Sequence, residues 1–336
     1  MTVLSQLSVP VIASPMAGGP STPALVDALF NSGGLGFLAG GYLSAAALRA
    51  QMDAVTAPRY GVNLFYPQAA PASLLLVDDY AEQLKPLFTQ HGVAVPDYAD
   101  ADPTDAFAEK FALLLELRPT VASCTFGLFS EEEVSELHEA GIEVWMTVTC
   151  PRDAAEAERR GADVLIVQGP EAGGHRSTLT VEEEPDGRSA YSICTSIETA
   201  LPKVLAGGIA TWRQLQWAFH AGATAVACGT AFLLAEEAGT SEAHKVWIRA
   251  AVDKQLPTAT TRAFSGRVAR GVETDFMRAH QDAPAVYPHV NTLMKPLRGL
   301  ADTPEFVAPW AGVRVSQAKE LPAADIVSML TQPNWG

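Results

Sequence analysis

The sequence predicts an α/β chain folded as a closed (β/α)8 barrel, with a helical insertion after the third strand and a C-terminal extension. Three observations predict it. Short apolar, β-branched segments alternate with amphipathic ones, as strands and helices do when they follow one another along a parallel sheet. The strand-like segments number eight, at 9–16, 35–40, 60–65, 120–127, 143–149, 162–169, 203–208 and 225–230. Finally, Gly33, Gly141, Gly161 and Gly222 each follow a helical segment, where a left-handed residue closes a helix. An open doubly wound sheet with an added lobe has the same local periodicity and stands as the alternative architecture.

Helical spacing of apolar residues covers 22–32, 44–55, 130–140, 152–160 and 211–221. Ser130 with Glu133 is a capping-box pattern at the start of the third of these. Gly34-Leu-Gly-Phe-Leu-Ala39 matches a dinucleotide fingerprint by letter, but it follows a helix and becomes the second strand, whereas the fingerprint must follow a strand and open a helix. The letters carry no cofactor here. Two segments break the repeat. Residues 66–119 place Phe107, Phe111, Leu114 and Leu115 on one helical face and read as a helical excursion or lid region. The tail after residue 235 reads as helical at 248–252 and irregular beyond, since Pro284, Pro288, Pro296, Pro304 and Pro309 interrupt any long helix. The expected division is a barrel over 1–239 and an extension over 240–336 that covers the barrel mouth or meets a second copy in a homo-oligomer.

With 336 residues and 48% apolar content, the chain can bury a substantial core. Its formal net charge of -15 is spread through clusters such as Glu131-Glu132-Glu133 and Glu182-Glu183-Glu184. That balance argues against a duplex nucleic acid or an anionic membrane as partner, so any anionic ligand needs a local pocket. Cys124, Cys150, Cys194 and Cys228 form no C-x-x-C pair and show no zinc-ligand spacing, which predicts free thiols in a reducing compartment and no metal. No Lys or Arg precedes Arg49, and Pro10 and Pro15 break the first apolar stretch; neither a signal peptide nor a membrane anchor is expected, and the location expected is cytoplasmic.

The run Gln168-Gly-Pro-Glu-Ala-Gly-Gly-His-Arg176 follows Val164-Leu-Ile-Val167 without a break. A short unbroken apolar run suits a strand covered on both faces, and such sheets hold their chemistry just beyond the carboxyl ends of the strands. Gln168 and the candidate acid–base residue His175 therefore fall where a ligand binds. Gly173 and Gly174 let the backbone approach that ligand closely. Gly207-Gly208 and Gly229-Thr230 end the seventh and eighth predicted strands, the recurrent phosphate position of such barrels. Pro15, Met16 and Ala17 end the first strand and Asn63 lies within the third; a thioether packs against a flat ring, and an amide both donates and accepts. Together these residues describe a cofactor with a planar polar ring and one phosphate tail, which FMN fits better than a dinucleotide.

Taken together, Pro15-Met-Ala-Gly-Gly-Pro-Ser-Thr22, Gly61-Val-Asn63, Gln168-Gly-x-Glu-Ala-Gly-Gly-His175, Gly207-Gly208 and Cys228-Gly-Thr230 resemble the class I nitronate monooxygenases, formerly 2-nitropropane dioxygenases, over most of the chain. Thr261-x-Ala-Phe-Ser-Gly-Arg267-x-Ala-Arg270-Gly resembles that family's carboxyl-terminal region. The resemblance implies an FMN-containing TIM barrel that oxidises alkyl nitronates, notably propionate 3-nitronate. The oxidant would be O2, the route a flavin semiquinone, and the products a carbonyl compound with nitrite or nitrate. His175 would bind a nitronate oxygen or take the α-proton of a nitroalkane. Ser177 departs from the family's pattern, where glycine follows His-Arg. The Glu-Ala-Gly-Gly-His run also occurs in flavin-dependent NADH enoyl-acyl carrier protein reductases, the alternative enzyme reading; a flavin-binding sensor barrel is the non-enzymatic one. The run from Met16 to Thr22 and the tail motifs Tyr287-Pro-x-x-Asn291 and Trp310-Ala-Gly312 favour the nitronate enzymes. Whether Arg176, Arg267, Arg270 or Lys295 meets a substrate carboxylate is left open by the sequence.

Overall fold

Residues 2–300 and 304–333 are described by a computed structural model of the chain. Its barrel strands are β1 (Val11–Ala13), β2 (Leu35–Ala39), β3 (Gly61–Phe65), β4 (Val121–Thr125), β5 (Glu143–Val148), β6 (Val164–Gln168), β8 (Lys203–Ala206) and β9 (Ala225–Cys228). Each pairs in parallel with the next, and β9 pairs back onto β1 through Ile12 opposite Ala227. That closure decides between the two expected architectures in favour of the TIM barrel. Alternate residues of a strand face opposite ways, and burial follows that rule. Ile12, Phe37, Trp145, Ile166 and Val204 fill the barrel interior, while Val11, Leu38, Val62 and Leu165 meet the surrounding helices. Val3 and Leu4, on an N-terminal 3-10 turn, join the interior cluster.

The helices start and stop where their sequence signals lie. Thr22 Oγ1 accepts from Leu25 N–H at 3.0 Å to begin α1 (Pro23–Asn31). Both hydrogen bonds of the Ser130–Glu133 capping box open α5 (Glu131–Glu139). Gly33, Gly141, Gly161 and Gly222 all have positive φ, between 78° and 93°. Gly36, in β2, is where α1 crosses: a Cβ there would stand 2.5 Å from Val26 Cα. The dinucleotide-like letters thus serve close helix–strand packing.

After β3 the chain forms α3 (Leu75–Gln90) and α4 (Phe107–Leu117). The second of these packs on β3 and on α2 (Ala45–Ala54) as an ordinary barrel helix, with Phe107, Phe111 and Leu114 in the outer core. The other leaves the barrel. Its Val77, Tyr80, Leu84 and Phe88 join Phe264, Phe276, Val290, Leu293 and Phe306 of the tail in a second core. Helices α6 (Pro151–Arg159), α7 (Ala190–Ser196) and α8 (Trp212–His220) complete the ring before the tail begins.

The tail departs from the irregular path expected of it beyond residue 252. It contains α9 (Glu242–Lys254), β10 (Thr258–Thr261), β11 (Ala269–Val272), α10 (Asp275–Ala279), α11 (His289–Arg298) and α12 (Ala323–Thr331). Of the five prolines expected to break it, Pro288 stands at the N-cap of α11, where no helical N–H bond is lost, Pro304 opens a 3-10 turn, and Pro296 lies inside α11 without ending it before Arg298. The last helix packs between α1 and α8 and buries Ala323, Ile326, Val327 and Leu330 against the barrel. Sequence periodicity places no such helix after the eighth strand; the chain supplies it from its far end.

Candidate active site

A cavity of about 850 Å3 opens at the carboxyl ends of the barrel strands under the tail, and every residue the sequence nominates lines it: Pro15, Met16, Ala17, Asn63, Gln168, Gly173, Gly174, His175, Gly207, Gly208, Gly229 and Thr230. The stretch carrying His175 is not the free loop its glycines suggest. Gly174–His175 form a short strand, β7, paired antiparallel to β11 with His175 opposite Ala269 and Gly174 opposite Arg270. Gly174 has φ +77°, and a Cβ at Gly173 would stand 2.5 Å from Gly312 N. Here the tail crosses too closely for any side chain.

Gln168 braces this strand rather than lying idle beside it. Its Nε2 donates to the His175 carbonyl at 2.9 Å and its Oε1 accepts from Ser177 N–H at 2.9 Å. Ser177, the departure from the family pattern, is fully buried and its Oγ accepts from Phe126 N–H at 3.0 Å. The serine thus ties the histidine segment to the end of β4. Asn63 Nδ2 donates to Ser123 Oγ at 2.9 Å and lies 3.1 Å from Thr125 Oγ1, which also lies 3.3 Å from Asn63 Oδ1, so the amide is fixed by the end of β4 at the cavity wall.

His175 Nε2 lies 2.8 Å from Ser265 Oγ, and Nδ1 has no partner among the described residues yet is not sealed from the cavity. The imidazole is ringed by Phe126, Tyr287 and Trp310, with ring centroids 5.5, 6.1 and 5.3 Å away. Burial, reinforced by the Arg267 and Arg298 guanidiniums, pushes its pKa down to about 3. The ring is therefore neutral at working pH, not poised near its ordinary 6.5.

At the opposite end, pairing of β8 and β9 stops at Ala206 and Cys228, leaving Gly207, Gly208, Gly229 and Thr230 beyond the ladder. Gly207 and Gly208 have φ +119° and +71°, and Cβ atoms on them would meet Ala172 N at 2.9 Å and Glu171 Cβ at 3.1 Å. The result is a side-chain-free cradle of backbone suited to a phosphate. Thr230 Oγ1 accepts from Gly312 N–H at 2.9 Å, which brings the tail down beside it. Among the described residues no three His, Cys, Asp or Glu side chains are grouped to hold a metal ion, and no helix is long and apolar enough to cross a membrane.

The family model for nitronate monooxygenase matches residues 1–333. The chain belongs to the nitronate monooxygenase family. It is similar to the nitronate monooxygenase of Pseudomonas aeruginosa, 34% identical over 98% of this chain and 97% of that one. The nitronate monooxygenase of Paraburkholderia phytofirmans is 33% identical over 96% and 91%. Among solved structures, nitroalkane oxidase from Streptomyces ansochromogenes superposes with a TM-score of 0.92 at 36% identity, covering 98% of this chain and 96% of that one. FabK from Thermotoga maritima shares the fold, with a TM-score of 0.70 at 24% identity over 97% and 93%. As a nitronate monooxygenase family member the chain is an oxidoreductase, and the cations around the cavity bear on the charge of what it can hold.

Of the four basic residues left open by the sequence, only Lys295 lines the cavity. Arg270 is spent on the Pro170 and Thr258 carbonyls, Arg176 on those of Gln168 and Asp186, and Arg267 on Gln68 and on carbonyls of the segment 176–180. Arg298, which sequence reasoning missed, also lines the cavity. It lies three residues beyond Lys295 on α11, hence on the same face; that spacing was the available signal. Ser265 and Trp310 stand in the tail motifs without a role and Tyr42 was missed, because nothing in their own segments points toward His175. Backbone strain collects here as well. Tyr42, Asp105, Ala106 and Phe126, all lining the cavity, have φ between +50° and +76°, a conformation that non-glycine residues keep only when their surroundings enforce it.

Proposed function

We propose that the chain binds FMN and oxidises alkyl nitronates, propionate 3-nitronate in particular, with O2 to a carbonyl compound plus nitrite or nitrate. The observation that carries this reading is a neutral imidazole with an unpartnered Nδ1 facing a cavity lined by Lys295, Arg298 and Arg314, while its carboxylates Asp102, Asp105 and Glu171 are engaged by Thr104, Lys110 and Ala190 N–H. The chemistry FMN supplies when bound is electron transfer between the nitronate and oxygen. The backbone of Gly207, Gly208, Gly229 and Thr230 would hold its phosphate. Met16 and Ala17 would pack on the ring, and Asn63, Gln168, Gly173 and Gly174 would border it.

The remaining work belongs to the side chains. His175, fixed by Ser265, meets a nitronate oxygen through Nδ1 as a neutral hydrogen-bonding group. With its pKa near 3 in the ligand-free protein, it is a weak base toward a neutral nitroalkane, and an arriving anion raises its proton affinity. Lys295 is exposed at the mouth without an acidic partner among the described residues and is the cation for a substrate carboxylate. Phe65, Phe126, Phe264, Tyr287 and Trp310 line the cavity and keep water from the reacting atoms.

The test is optical. The purified protein should be yellow, propionate 3-nitronate added without air should change the flavin spectrum within the mixing time, and air should restore it. Rapid bleaching by NADH with no response to the nitronate would overturn this reading in favour of enoyl-thioester reduction.

A further inference from the structure

A buried guanidinium is ordinarily matched by a carboxylate, since a desolvated charge without a counter-charge is strongly unfavourable. Two arginines beside His175, Arg267 fully buried and Arg298 half-buried in the cavity wall, lack one. Arg267 is 1% exposed and its donors end on Gln68 Oε1 at 2.7 Å, Arg176 O at 3.4 Å, Thr180 O at 3.2 Å and both oxygens of Thr178. All of these acceptors are neutral. Its carbon also stands 4.2 Å above the Phe126 ring, which in turn meets His175 edge-on. Arg298 donates to Phe264 O at 2.8 Å, Asn291 O at 2.8 Å and Asn291 Oδ1 at 2.9 Å, again neutral acceptors throughout. The acids nearest Arg267 in effect are Glu182 and Glu183, yet Glu183 is paired with Arg152 and neither forms an ion pair with Arg267. The charged or titratable neighbours of Arg298 are the phenols of Tyr42 and Tyr287, and burial holds both phenols in their neutral form.

We infer that Arg267 and Arg298 are specificity-determining cations: held by neutral oxygens alone, they keep an uncancelled positive charge beside His175 that only an anionic ligand completes. This deepens the nitronate reading and rests on it. A nitronate and its parent nitroalkane have nearly the same size and differ by one proton, with a planar α-carbon in one and a tetrahedral one in the other, so charge is the larger difference a site can read. A carboxylate built into the protein beside either guanidinium would cancel that discrimination. The neutral ligands also explain how the cations stay in place when the cavity holds no anion: Nε, Nη1 and Nη2 of Arg267 and both Nη atoms of Arg298 keep hydrogen bonds while the net charge remains unspent.

The experiment uses the flavin-loaded protein and two non-carboxylate probes. Nitrite is a small anion; nitroethane, kept well below its ionisation, is neutral. Binding is read from the flavin difference spectrum in wild type, Arg298→Gln, Arg298→Lys and Gln68→Glu. The last variant offers Arg267 an internal carboxylate at the 2.7 Å contact without removing a cation. Nitrite affinity should fall by about tenfold or more in Arg298→Gln and in Gln68→Glu, stay within a few-fold in Arg298→Lys, and nitroethane affinity should not follow it. Undiminished nitrite affinity in Arg298→Gln removes Arg298 from this role, undiminished affinity in Gln68→Glu removes Arg267, and a nitroethane loss equal to the nitrite loss overturns the charge argument altogether. Loss of nitronate turnover in wild type with nitrite discrimination intact would instead sink the substrate reading alone.

Discussion

His175 Nε2 and Ser265 Oγ are 2.8 Å apart although 90 residues separate them, so an imidazole at the barrel mouth is oriented by a hydroxyl of the tail. Ser265 is 1% exposed and its Oγ also lies 3.3 Å from both Arg267 N and Arg267 O. Ser265→Ala removes the group that fixes the ring and its tautomer. A net hydrogen bond of about 1 kcal/mol predicts a fall in kcat of several-fold to about tenfold, with flavin content and KM little changed. Steady-state kinetics beside the visible spectrum check it; a variant with wild-type kcat would show that the hydroxyl is dispensable.

Acid should act on stability before it acts on the resting charge of the site. His175 and His244 have pKa values pushed down to about 3 and about 4, mainly by burial, so the unfolded chain takes up their protons first. Their contribution is complete above about pH 6.5 and is lost as pH falls toward 3, at no more than about 1.4 kcal/mol per pH unit for each histidine. Melting temperature should therefore decline over that window and decline less steeply in His175→Asn. Turnover of a preformed nitronate by the wild type should show no bend at pH 6.5.

His175→Asn should keep the flavin and, because an imidazole held near pKa 3 is already a weak base, lose activity on ethylnitronate and nitroethane to a similar extent through the altered Nδ1 contact. A much larger loss on nitroethane would show instead that the histidine takes the α-proton.

Gly208→Glu should give protein depleted of flavin. The residue has φ +71° and a Cβ there would press on Glu171 Cβ at 3.1 Å, so the variant both strains the cradle and sets a second carboxylate where a phosphate is expected. The ratio of flavin to protein absorbance after purification measures it. Full flavin content would place the phosphate elsewhere.

Lys295→Met should raise KM for propionate 3-nitronate by about tenfold, the worth of one charge-assisted hydrogen bond, and leave KM for ethylnitronate unchanged, since that substrate has no carboxylate. A common shift for both would assign the lysine to the nitronate group or to the fold.

The sequence by itself determined the barrel and many of the residues that line its cavity. Val164 to Val167 reads as a strand buried on both faces, Ser130 with Glu133 as a helix start, and Gly33 or Gly222 as a helix stop, because each depends on atoms within a few residues along the chain. The cradle at Gly207, Gly208, Gly229 and Thr230 was legible for the same reason: strand ends in a parallel barrel converge on one face whatever connects them. Only the tertiary structure decided what holds His175. Its pairing with Ala269, the Ser265 contact, the aromatic ring of Phe126, Tyr287 and Trp310, and the two arginines with no carboxylate all join segments far apart in the chain. No local pattern encodes such contacts. The same holds for the imidazole's proton affinity, which sequence leaves at its ordinary value and which burial beside two cations moves to about 3, since desolvation and neighbouring charge exist only once the chain has folded.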